Sequence, residues 1–449
     1  MKKSFISLLS IGLSISIMAQ TIVNRDPAIE KMLNQVSRDS LESYIKKMVS
    51  FGTRNTLSTQ TDPKRGIGAA KNWVLSRFKE FALVSEGRLT AMIDTTTLPP
   101  DGRRVDINVL LGNVVATLRG TDPADNRIFI MSGHLDNMRS SVMNRSDDAP
   151  GANDDASGVA AVMECCRIMS KSGFPATIIF VAVSGEEQGL LGSTFMAEKA
   201  KRENWNIEGM FTNDIMGSNN SNETNIIDNT KIRVFSETFS IIDSGRARQN
   251  IRSLGLENDG KSRQLARYIK ETGEKYVDQL EVVMIYRNDR YLRGGDHSPF
   301  VDRGFPAIRI TEMNENYTRQ HQDVRLENGI QYGDLPEHID YEYLRKNTCL
   351  NLACLANLAK SPSMPQEVRV ETRKLTNLTN LVWKAPKSGK VKGYYVLMRE
   401  TTYPVWQKKF FTTDTKMDLP YSKDNYFFAV QSVSEDGNEG IPVMPVPLR

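Results

Sequence analysis

The chain has 449 residues, of which 39% are hydrophobic and 25% are charged, a composition typical of a globular protein long enough for more than one domain. Its formal net charge of +4 comes from 58 basic and 54 acidic residues that are spread without long blocks of one sign. The charge therefore argues against a nucleic-acid or anionic-membrane partner and favours a small molecule or a peptide as the ligand.

The N-terminal stretch M-K-K-S-F-I-S-L-L-S-I-G-L-S-I-S-I-M-A-Q has the order of a secretory signal peptide: two lysines, an apolar stretch, and the small Ala19 before Gln20. A membrane anchor is the alternative, but the apolar part is short and rich in serine for a span of about 20 residues. We therefore expect residues 1–20 to be a signal peptide and the protein to be exported, either secreted or periplasmic.

The section after the signal shows helical periodicity between residues 24 and 82 and then alternates strands with helices. Strands are predicted at residues 108–118, 127–131 and 177–183 and before Asp214, and helices at about 157–170, from about 193, and at 341–360. This alternation predicts an α/β fold with a mixed, mostly parallel central sheet and helices on both faces. We assign residues 21–361 to this domain, because the S-P-S sequence that follows the last helix is typical of a linker.

The last part of the chain, residues 362–449, consists of short runs with partial period-two alternation, separated by turns such as P-K-S-G-K and E-D-G-N-E-G. This pattern predicts a small all-β sandwich. Trp383 followed by A-P, the G-Y-Y-V run from Gly393 and the Y-F-F-A-V run from Tyr426 resemble a fibronectin type III module. Nothing in this part is typical of a catalytic site, so we expect a spacer or an adhesion module that binds a surface or another protein.

Several polar residues with metal-binding capacity stand in loops or at the ends of predicted strands, namely His134, Asp154, Glu186, Glu187, Asp214 and His297. In open α/β sheets, ligands bind beyond the carboxyl ends of the strands. Taken singly, each residue has an ordinary explanation as a satisfied polar group, a helix cap or the acidic first turn of a helix. Taken together, two histidines and several carboxylates form the nitrogen and oxygen ligand set that suits zinc.

Five motifs stand in a fixed order along the chain: S-G-H-L-D, P-G-A-N-D-D-A-S-G-V-A-A-V, V-S-G-E-E-Q-G-L-L-G-S, N-D and G-D-H-S-P-F. They resemble the motifs of the co-catalytic di-zinc exopeptidases of the bacterial secreted leucyl aminopeptidase type, and the resemblance covers roughly residues 24–360. The same superfamily includes glutamate carboxypeptidases and zinc-dependent glutaminyl cyclases. One departure is Asn153, where relatives often carry an acidic residue.

The resemblance implies two zinc ions per chain. The implied ligands are His134 and Asp214 for one ion, Glu187 and His297 for the other, and Asp154 as the bridge between them. Asp136 would orient the His134 imidazole through its carboxylate, and Glu186 would be the general base. Tyr317 and His321, on a loop that borders the pocket in relatives, would contact the substrate.

The implied activity is that of an exported aminopeptidase, which hydrolyses N-terminal residues from peptides with a water molecule activated by the metals and by Glu186. Three other functions stay open. Arg287, Arg290 and Arg293 favour a carboxypeptidase or dipeptidase that acts on acidic residues, because guanidinium groups pair with carboxylates, although a solvated basic loop has the same pattern. A glutaminyl cyclase-like enzyme shares the metal set, and an inactive, metal-free binding protein is the remaining alternative.

Overall fold

A computed structural model describes residues 25–239 and 244–448 of the chain. The predicted signal peptide, residues 1–20, lies outside the described residues. The largest element is an eight-stranded sheet. Its strands are β1 (Leu89–Leu98), β2 (Val109–Leu118), β3 (Arg127–His134), β4 (Thr177–Val183), β5 (Asn206–Asn213), β6 (Lys231–Phe235), β7 (Glu281–Ile285) and β8 (Ala307–Glu312).

The strands lie in the order β1-β2-β4-β3-β5-β8-β6-β7. The middle strands β4, β3, β5 and β8 are parallel to one another. At one edge β1 and β2 are antiparallel to their neighbours, and at the other edge β6 is antiparallel to β8 but parallel to β7. After Thr177, the I-I-F-V-A-V run of β4 is apolar throughout because this central strand is buried on both faces. The predicted mixed, mostly parallel sheet is thus confirmed.

Helices cover both faces of the sheet, as predicted. They are α1 (Pro27–Leu33), α2 (Arg38–Val49), α3 (Gly66–Ala82), α4 (Ala156–Met169), α5 (Leu191–Arg202), α6 (Gly245–Leu254), α7 (Lys261–Tyr276), α8 (Ser298–Val301) and α9 (Tyr341–Lys360). Along β3, Phe129 and Met131 pack in the larger core with α1–α4, α7 and α9, whereas Ile130 packs in the smaller core with α5 and α8. Among the described residues, no helix combines the length and the apolar character needed to cross a membrane.

Smaller elements complete the chain. The strands β9 (Arg325–Glu327) and β10 (Ile330–Tyr332) form a hairpin, which a short 3-10 helix (Pro336–His338) follows. The remaining strands are β11 (Gln366–Glu371), β12 (Thr379–Lys384), β13 (Gly393–Glu400), β14 (Lys408–Thr412), β15 (Lys416–Leu419), β16 (Tyr426–Val433) and β17 (Val446–Leu448). They form a β15-β12-β11-β17 sheet and a β14-β13-β16 sheet, which share a core that includes Trp383, Val396 and Phe428.

This C-terminal sandwich contacts the α/β part of the chain through a buried group of charges. The Asp259 carboxylate, just before α7, lies 3.1 Å from the Arg267 guanidinium and 2.6 Å from the Arg399 guanidinium of β13. Both guanidinium groups lie near the ring of Trp406, at 5.5 and 5.4 Å from its centroid. Because the three charged side chains are buried, the two parts of the chain share a packed interface.

We expect Asp259→Asn to lower the free energy of unfolding by about 3–5 kcal/mol, because it leaves two buried guanidinium groups without their shared counter-charge. Urea denaturation followed by circular dichroism measures this loss. The matched control is Lys384→Met, which breaks the exposed Lys384–Glu367 pair of the same sandwich and is expected to cost less than about 1 kcal/mol. Equal losses in the two variants would contradict a stabilising role for the buried group.

Candidate metal centre

The carboxyl ends of the parallel strands β3, β4, β5 and β8 meet at one edge of the sheet. His134 is the last residue of β3, the Glu186–Glu187 pair follows β4, and Asp214 follows β5. Asp154 lies in the loop that leads from β3 to α4, and His321 lies in the loop after β8. Residues far apart in the sequence therefore come together at this edge, as expected for an open α/β sheet.

Three buried side chains form the first group of potential metal ligands: His134, Asp154 and Asp214. The His134 Nε2 atom lies 3.0 Å from Asp154 Oδ1 and 3.8 Å from Asp214 Oδ1. The other oxygen of Asp214 lies 3.1 Å from the buried guanidinium of Arg309. Burial alone raises the pKa of Asp214, but Arg309 and His134 outweigh it and lower the pKa below its usual value. Asp214 is therefore ionised, with one oxygen turned toward the group.

The second group consists of Asp154, Glu187 and His321. The His321 Nε2 atom lies 2.9 Å from Asp154 Oδ2 and 3.1 Å from Glu187 Oε1. Asp154 thus faces the first group with Oδ1 and the second group with Oδ2. A carboxylate shared in this way has the position of a ligand that bridges two metal ions.

The composition of the two groups fits divalent metal ions. Within each group the potential ligand atoms lie within 4.8 Å of one another. The carboxyl groups of Asp154, Glu187 and Asp214 crowd around two imidazoles, and buried charges are costly unless a cation compensates them. Glu187 Oε1 makes no aligned hydrogen bond among the described residues, although His321 Nε2 is close to it. Carboxylate oxygens and imidazole nitrogens are the ligands that zinc takes in proteins.

The raised pKa values of the two imidazoles also indicate that this site favours positive charge. Burial lowers the pKa of His321, but Glu187 and Asp154 outweigh it and raise the pKa to about 11. Burial likewise opposes a charged His134, but Asp154 and Asp155 raise its pKa well above the usual value. The carboxylates that favour a positive charge on these imidazoles also favour a bound cation, and metal binding would compete with protons for the same nitrogens.

Asp155 holds the ligand-bearing segments together. Its carboxylate accepts hydrogen bonds from the backbone N–H groups of His134 at 2.8 Å, Gly158 at 2.9 Å and Ile215 at 3.2 Å. These N–H groups belong to the end of β3, the first turn of α4 and the loop after β5. One buried carboxylate thus fixes the segments that carry His134 and Asp214 relative to the start of α4.

Asp334 and Arg54 support the loop that carries Asp154 and were not among the residues predicted from the sequence. Asp334 accepts hydrogen bonds from the backbone N–H groups of Asn153 at 2.8 Å and Asp154 at 2.7 Å. The buried Arg54 guanidinium donates to three backbone carbonyl groups near the two ends of the loop that leads from β3 to α4. Neither residue stands at a spacing typical of metal ligands, so no sequence signal identified them.

The structure places Asp136 beside His134, but with a different contact from the predicted one. His134 Nδ1 lies 3.0 Å from the backbone carbonyl oxygen of Asp136 and 3.8 Å from its carboxylate. The carboxylate instead accepts hydrogen bonds from the backbone N–H groups of Glu186 at 3.2 Å and Glu187 at 3.1 Å. A proton on Nδ1 leaves Nε2 free for a metal. Asp136 therefore orients His134 with its main chain and the Glu186–Glu187 pair with its side chain.

We expect Asp136→Asn to lower kcat/KM by about 10–100-fold, the range typical of residues that support a metal site. The reason is that the backbone N–H of either Glu186 or Glu187 then faces the amide NH₂ group of the asparagine instead of an acceptor. Steady-state kinetics with a peptide substrate measures the loss. The control is Asp106→Asn at the exposed Asp106–Arg145 pair, which should leave kcat/KM unchanged, and an unchanged value in Asp136→Asn would contradict this role.

Glu186 belongs to neither ligand group and faces a cleft of about 340 Å³ that is lined by both groups. Burial raises the pKa of Glu186 well above its usual value, His134 opposes this, and the neighbouring carboxylates of Glu187 and Asp214 raise it further. A carboxyl group in this position, next to the ligands and open to the cleft, is placed to accept a proton from a water molecule.

His297, which was predicted to hold the second metal ion, is not in either group of potential ligands among the described residues. It is fully buried before α8, and its Nε2 atom lies 2.7 Å from the backbone carbonyl oxygen of Asn288. The ring is thus held within its own loop. His321, which was predicted to contact the substrate, instead supplies the imidazole of the second group.

Tyr317, the other predicted substrate contact, is not among the described residues that line the cleft. Its side chain is 51% exposed, and its backbone N–H donates to Asn222. Gln320 and Arg104 line the cleft instead. Gln320 donates to Asp154 Oδ2 at 3.0 Å, and Arg104 donates to the backbone carbonyl oxygen of Glu187. The sequence shows both only as polar loop residues, which is why they were missed.

Known proteins are similar in sequence to this chain over most of its length. The profile of Peptidase family M28 matches residues 113–340. The chain is 41% identical to a probable zinc metalloprotease of Leptosphaeria maculans, over 93% of this chain and 97% of that protein. It is also 41% identical to a probable zinc metalloprotease of Pyricularia oryzae, over 94% of this chain and 85% of that protein.

Solved structures share the fold. LapA aminopeptidase of Legionella pneumophila is similar with a TM-score of 0.51 and 20% identity, over 76% of this chain and 78% of that chain. LapB of the same organism is similar with a TM-score of 0.52 and 17% identity, over 75% of this chain and 76% of that chain. Together with the family match and the close relatives, the carboxylate and imidazole groups lead to one conclusion: the chain is a zinc metallopeptidase that belongs to peptidase family M28.

Proposed function

We propose that the chain is an exported di-zinc exopeptidase, specifically an aminopeptidase that removes N-terminal residues from peptides. The observation that carries the proposal is the Asp154 carboxylate, whose two oxygens face two separate groups of potential ligands, with Glu186 beside them in the cleft. Two zinc ions held by these groups would supply Lewis acidity and activate a water molecule for hydrolysis.

The residues of the chain supply binding and proton transfer. The proposed ligands are His134 and Asp214 on one side, Glu187 and His321 on the other, and Asp154 between them. Glu186 takes a proton from the attacking water and gives a proton to the amine that leaves when the peptide bond breaks. Asp136 accepts a hydrogen bond from the Glu186 backbone N–H, so the base keeps a fixed position relative to the ligands.

The size of the cleft favours an exopeptidase. Its volume of about 340 Å³ lies at the low end of the range for ligand pockets. Such a cleft accommodates the end of a peptide more readily than an extended chain that continues in both directions. The peptide terminus is therefore the expected substrate.

A panel of amino-acid anilides, free peptides and N-acetylated peptides, with and without a chelator, tests the proposal. We expect hydrolysis of the anilides and free peptides, no hydrolysis of the acetylated peptides, loss of activity with the chelator and recovery with zinc. Cleavage of acetylated peptides alone would assign a carboxypeptidase, and cyclisation of N-terminal glutamine without cleavage would assign a glutaminyl cyclase. A protein that neither binds zinc nor hydrolyses any member of the panel would be the inactive binding protein.

We also propose that residues 1–20 direct export and that the mature protein begins near Gln20 or Thr21. N-terminal sequencing of the protein recovered outside the cytoplasm tests this proposal, and an intact Met1 would contradict it. The likeness of residues 362–449 to a fibronectin type III module stays a prediction, as does binding of a surface or another protein by this part of the chain.

A further inference from the structure

Acidic and basic residues line the cleft together. The acidic side consists of the two ligand groups and Glu186, and the basic residues are Arg104, Arg290 and Arg293. Arg104 comes from the loop between β1 and β2, whereas Arg290 and Arg293 come from the loop between β7 and α8. Two separate segments thus bring positive charge to the same opening.

The protein itself neutralises one of these arginines. The Arg290 guanidinium lies 2.8 Å from Glu315 and 3.3 Å from Asp289, and it is largely buried. Arg287, in the same loop, is exposed, stacks on the Tyr291 ring at 3.9 Å from the centroid, and is not among the described residues that line the cleft. The charge of Arg290 is therefore already compensated by the protein, and Arg287 does not line the cleft.

Arg104 and Arg293 are different, because neither forms an ion pair with a carboxylate of the described residues. Arg104 Nη1 donates to the backbone carbonyl oxygen of Glu187, which holds the guanidinium beside the second ligand group. The Arg293 backbone N–H donates to the Arg290 carbonyl oxygen at 3.2 Å in a turn that presents its side chain to the cleft. Both guanidinium groups are thus free to bind an anion from the cleft.

Metal binding would leave the arginines as the charged part of the cleft. When all four are ionised, the carboxyl groups of Asp154, Glu186, Glu187 and Asp214 carry four negative charges, and two divalent cations carry the same amount of positive charge. The ligand groups would then be close to neutral, while the guanidinium groups of Arg104 and Arg293, on exposed side chains that line the cleft, keep their positive charge. Such a cleft attracts anionic groups of a substrate.

We propose that Arg104 and Arg293 form a carboxylate-binding subsite, so that the enzyme prefers short peptides whose C-terminal carboxylate lies inside the cleft. This inference rests on the proposed peptidase function and names its substrate class. Guanidinium groups bind carboxylates through strong charge-assisted hydrogen bonds. In a dipeptide the carboxylate lies only one residue beyond the bond to be broken, within the dimensions of a cleft of about 340 Å³. An acidic side chain of the substrate is the other possible source of the carboxylate that this subsite would bind.

The test compares the dipeptide leucylglycine with its C-terminal amide. For the wild-type enzyme we expect kcat/KM for the free acid to exceed that for the amide by at least about 10-fold, mainly through KM, because a hydrogen bond to a charged group contributes more than a neutral one. The double variant Arg104→Gln/Arg293→Gln should reduce this ratio to about one. The matched control Arg287→Gln, in the same loop but outside the cleft, should keep the wild-type ratio. An equal ratio in the wild type and the double variant overturns the inference.

A second pair of substrates separates the two sources of a carboxylate. If the wild type prefers leucylglutamate amide over leucylglutamine amide and the double variant does not, the subsite takes a side-chain carboxylate, and the preference for short peptides is overturned. Equal rates for these two amides, with the free acid still preferred over its amide, support the C-terminal carboxylate.

Failure of the proposed peptidase function is distinguishable from failure of the subsite, because in the first case none of these peptides is hydrolysed. In that case the subsite can still be tested by binding alone. Calorimetry measures the affinity of the zinc-loaded Glu186→Gln variant for leucylglycine and for its amide, and it needs no turnover. Tighter binding of the acid, lost when Arg104→Gln and Arg293→Gln are added, supports the subsite. Equal binding of the acid and the amide overturns it.

Discussion

Glu186→Gln is expected to lower kcat by at least about 100-fold, at the low end of the range for removal of a general base, and to leave the metal content unchanged. Glu186 faces the cleft but belongs to neither group of potential ligands, whereas its neighbour Glu187 lies 3.1 Å from His321 in the second group. Glutamine keeps the shape of the side chain but does not accept a proton, so only the chemical step is affected.

The comparison variant is Glu187→Ala, which is expected to lose one zinc ion per chain because it removes a ligand. Turnover with a peptide substrate and zinc content by plasma mass spectrometry measure the two effects on the same preparations. The reverse pattern, with metal lost from Glu186→Gln and retained by Glu187→Ala, would show that the roles within the pair are exchanged.

His321→Ala is expected to reduce the zinc content from two ions to one and to lower kcat/KM by at least about 100-fold. Loss of a supporting residue already costs about 10–100-fold, and loss of a direct ligand should cost more. The expectation follows from the position of His321 Nε2, which lies 2.9 Å from Asp154 and 3.1 Å from Glu187. Zinc analysis of dialysed protein and steady-state kinetics measure the two losses.

His297→Gln is the matched control, because it changes the other loop histidine that flanks β8. The glutamine amide retains a donor for the Asn288 carbonyl oxygen, which His297 Nε2 contacts at 2.7 Å. This variant should keep two zinc ions, and circular dichroism shows whether each variant is folded. Loss of one zinc from folded His297→Gln, with both ions retained by His321→Ala, would restore the ligand set predicted from the sequence.

The elements that carry most of the site are predictable from local pattern. The apolar run of β4 and the closing helix α9 are found where the sequence predicted them. His134, Asp154, Glu187 and Asp214 stand at strand ends or at the start of a helix, and the sheet brings all four together. Strand ends are readable because the apolar run stops there, and parallel strands bring such ends to one edge.

The choice between the two loop histidines was not predictable from pattern. His297 precedes β8 and His321 follows it. β8 itself was not among the predicted strands, although it pairs parallel to β5 next to the site. The direction of that one strand decides which flanking loop leaves the sheet beside Asp154, and sequence spacing carries no information about direction.

The contacts of Asp136 and Arg104 show a second limit of prediction from the sequence. Asp136 was rightly placed next to His134, but whether its carboxylate or its carbonyl contacts the ring depends on a difference of less than about 1 Å between the two contacts. Arg104 reaches the cleft because β1 and β2 form an antiparallel pair at the sheet edge, and β1 was not among the predicted strands. Long-range pairing of this kind is not encoded in local periodicity.

The most direct test of the metal centre is an anomalous difference map at the zinc edge from crystals of the zinc-loaded protein. Two peaks are expected about 3.5–4 Å apart, with Asp154 in contact with both, His134 and Asp214 at one, and Glu187 and His321 at the other. A single peak, or a second peak at His297 with His321 turned away, would contradict the two-metal centre proposed for this chain.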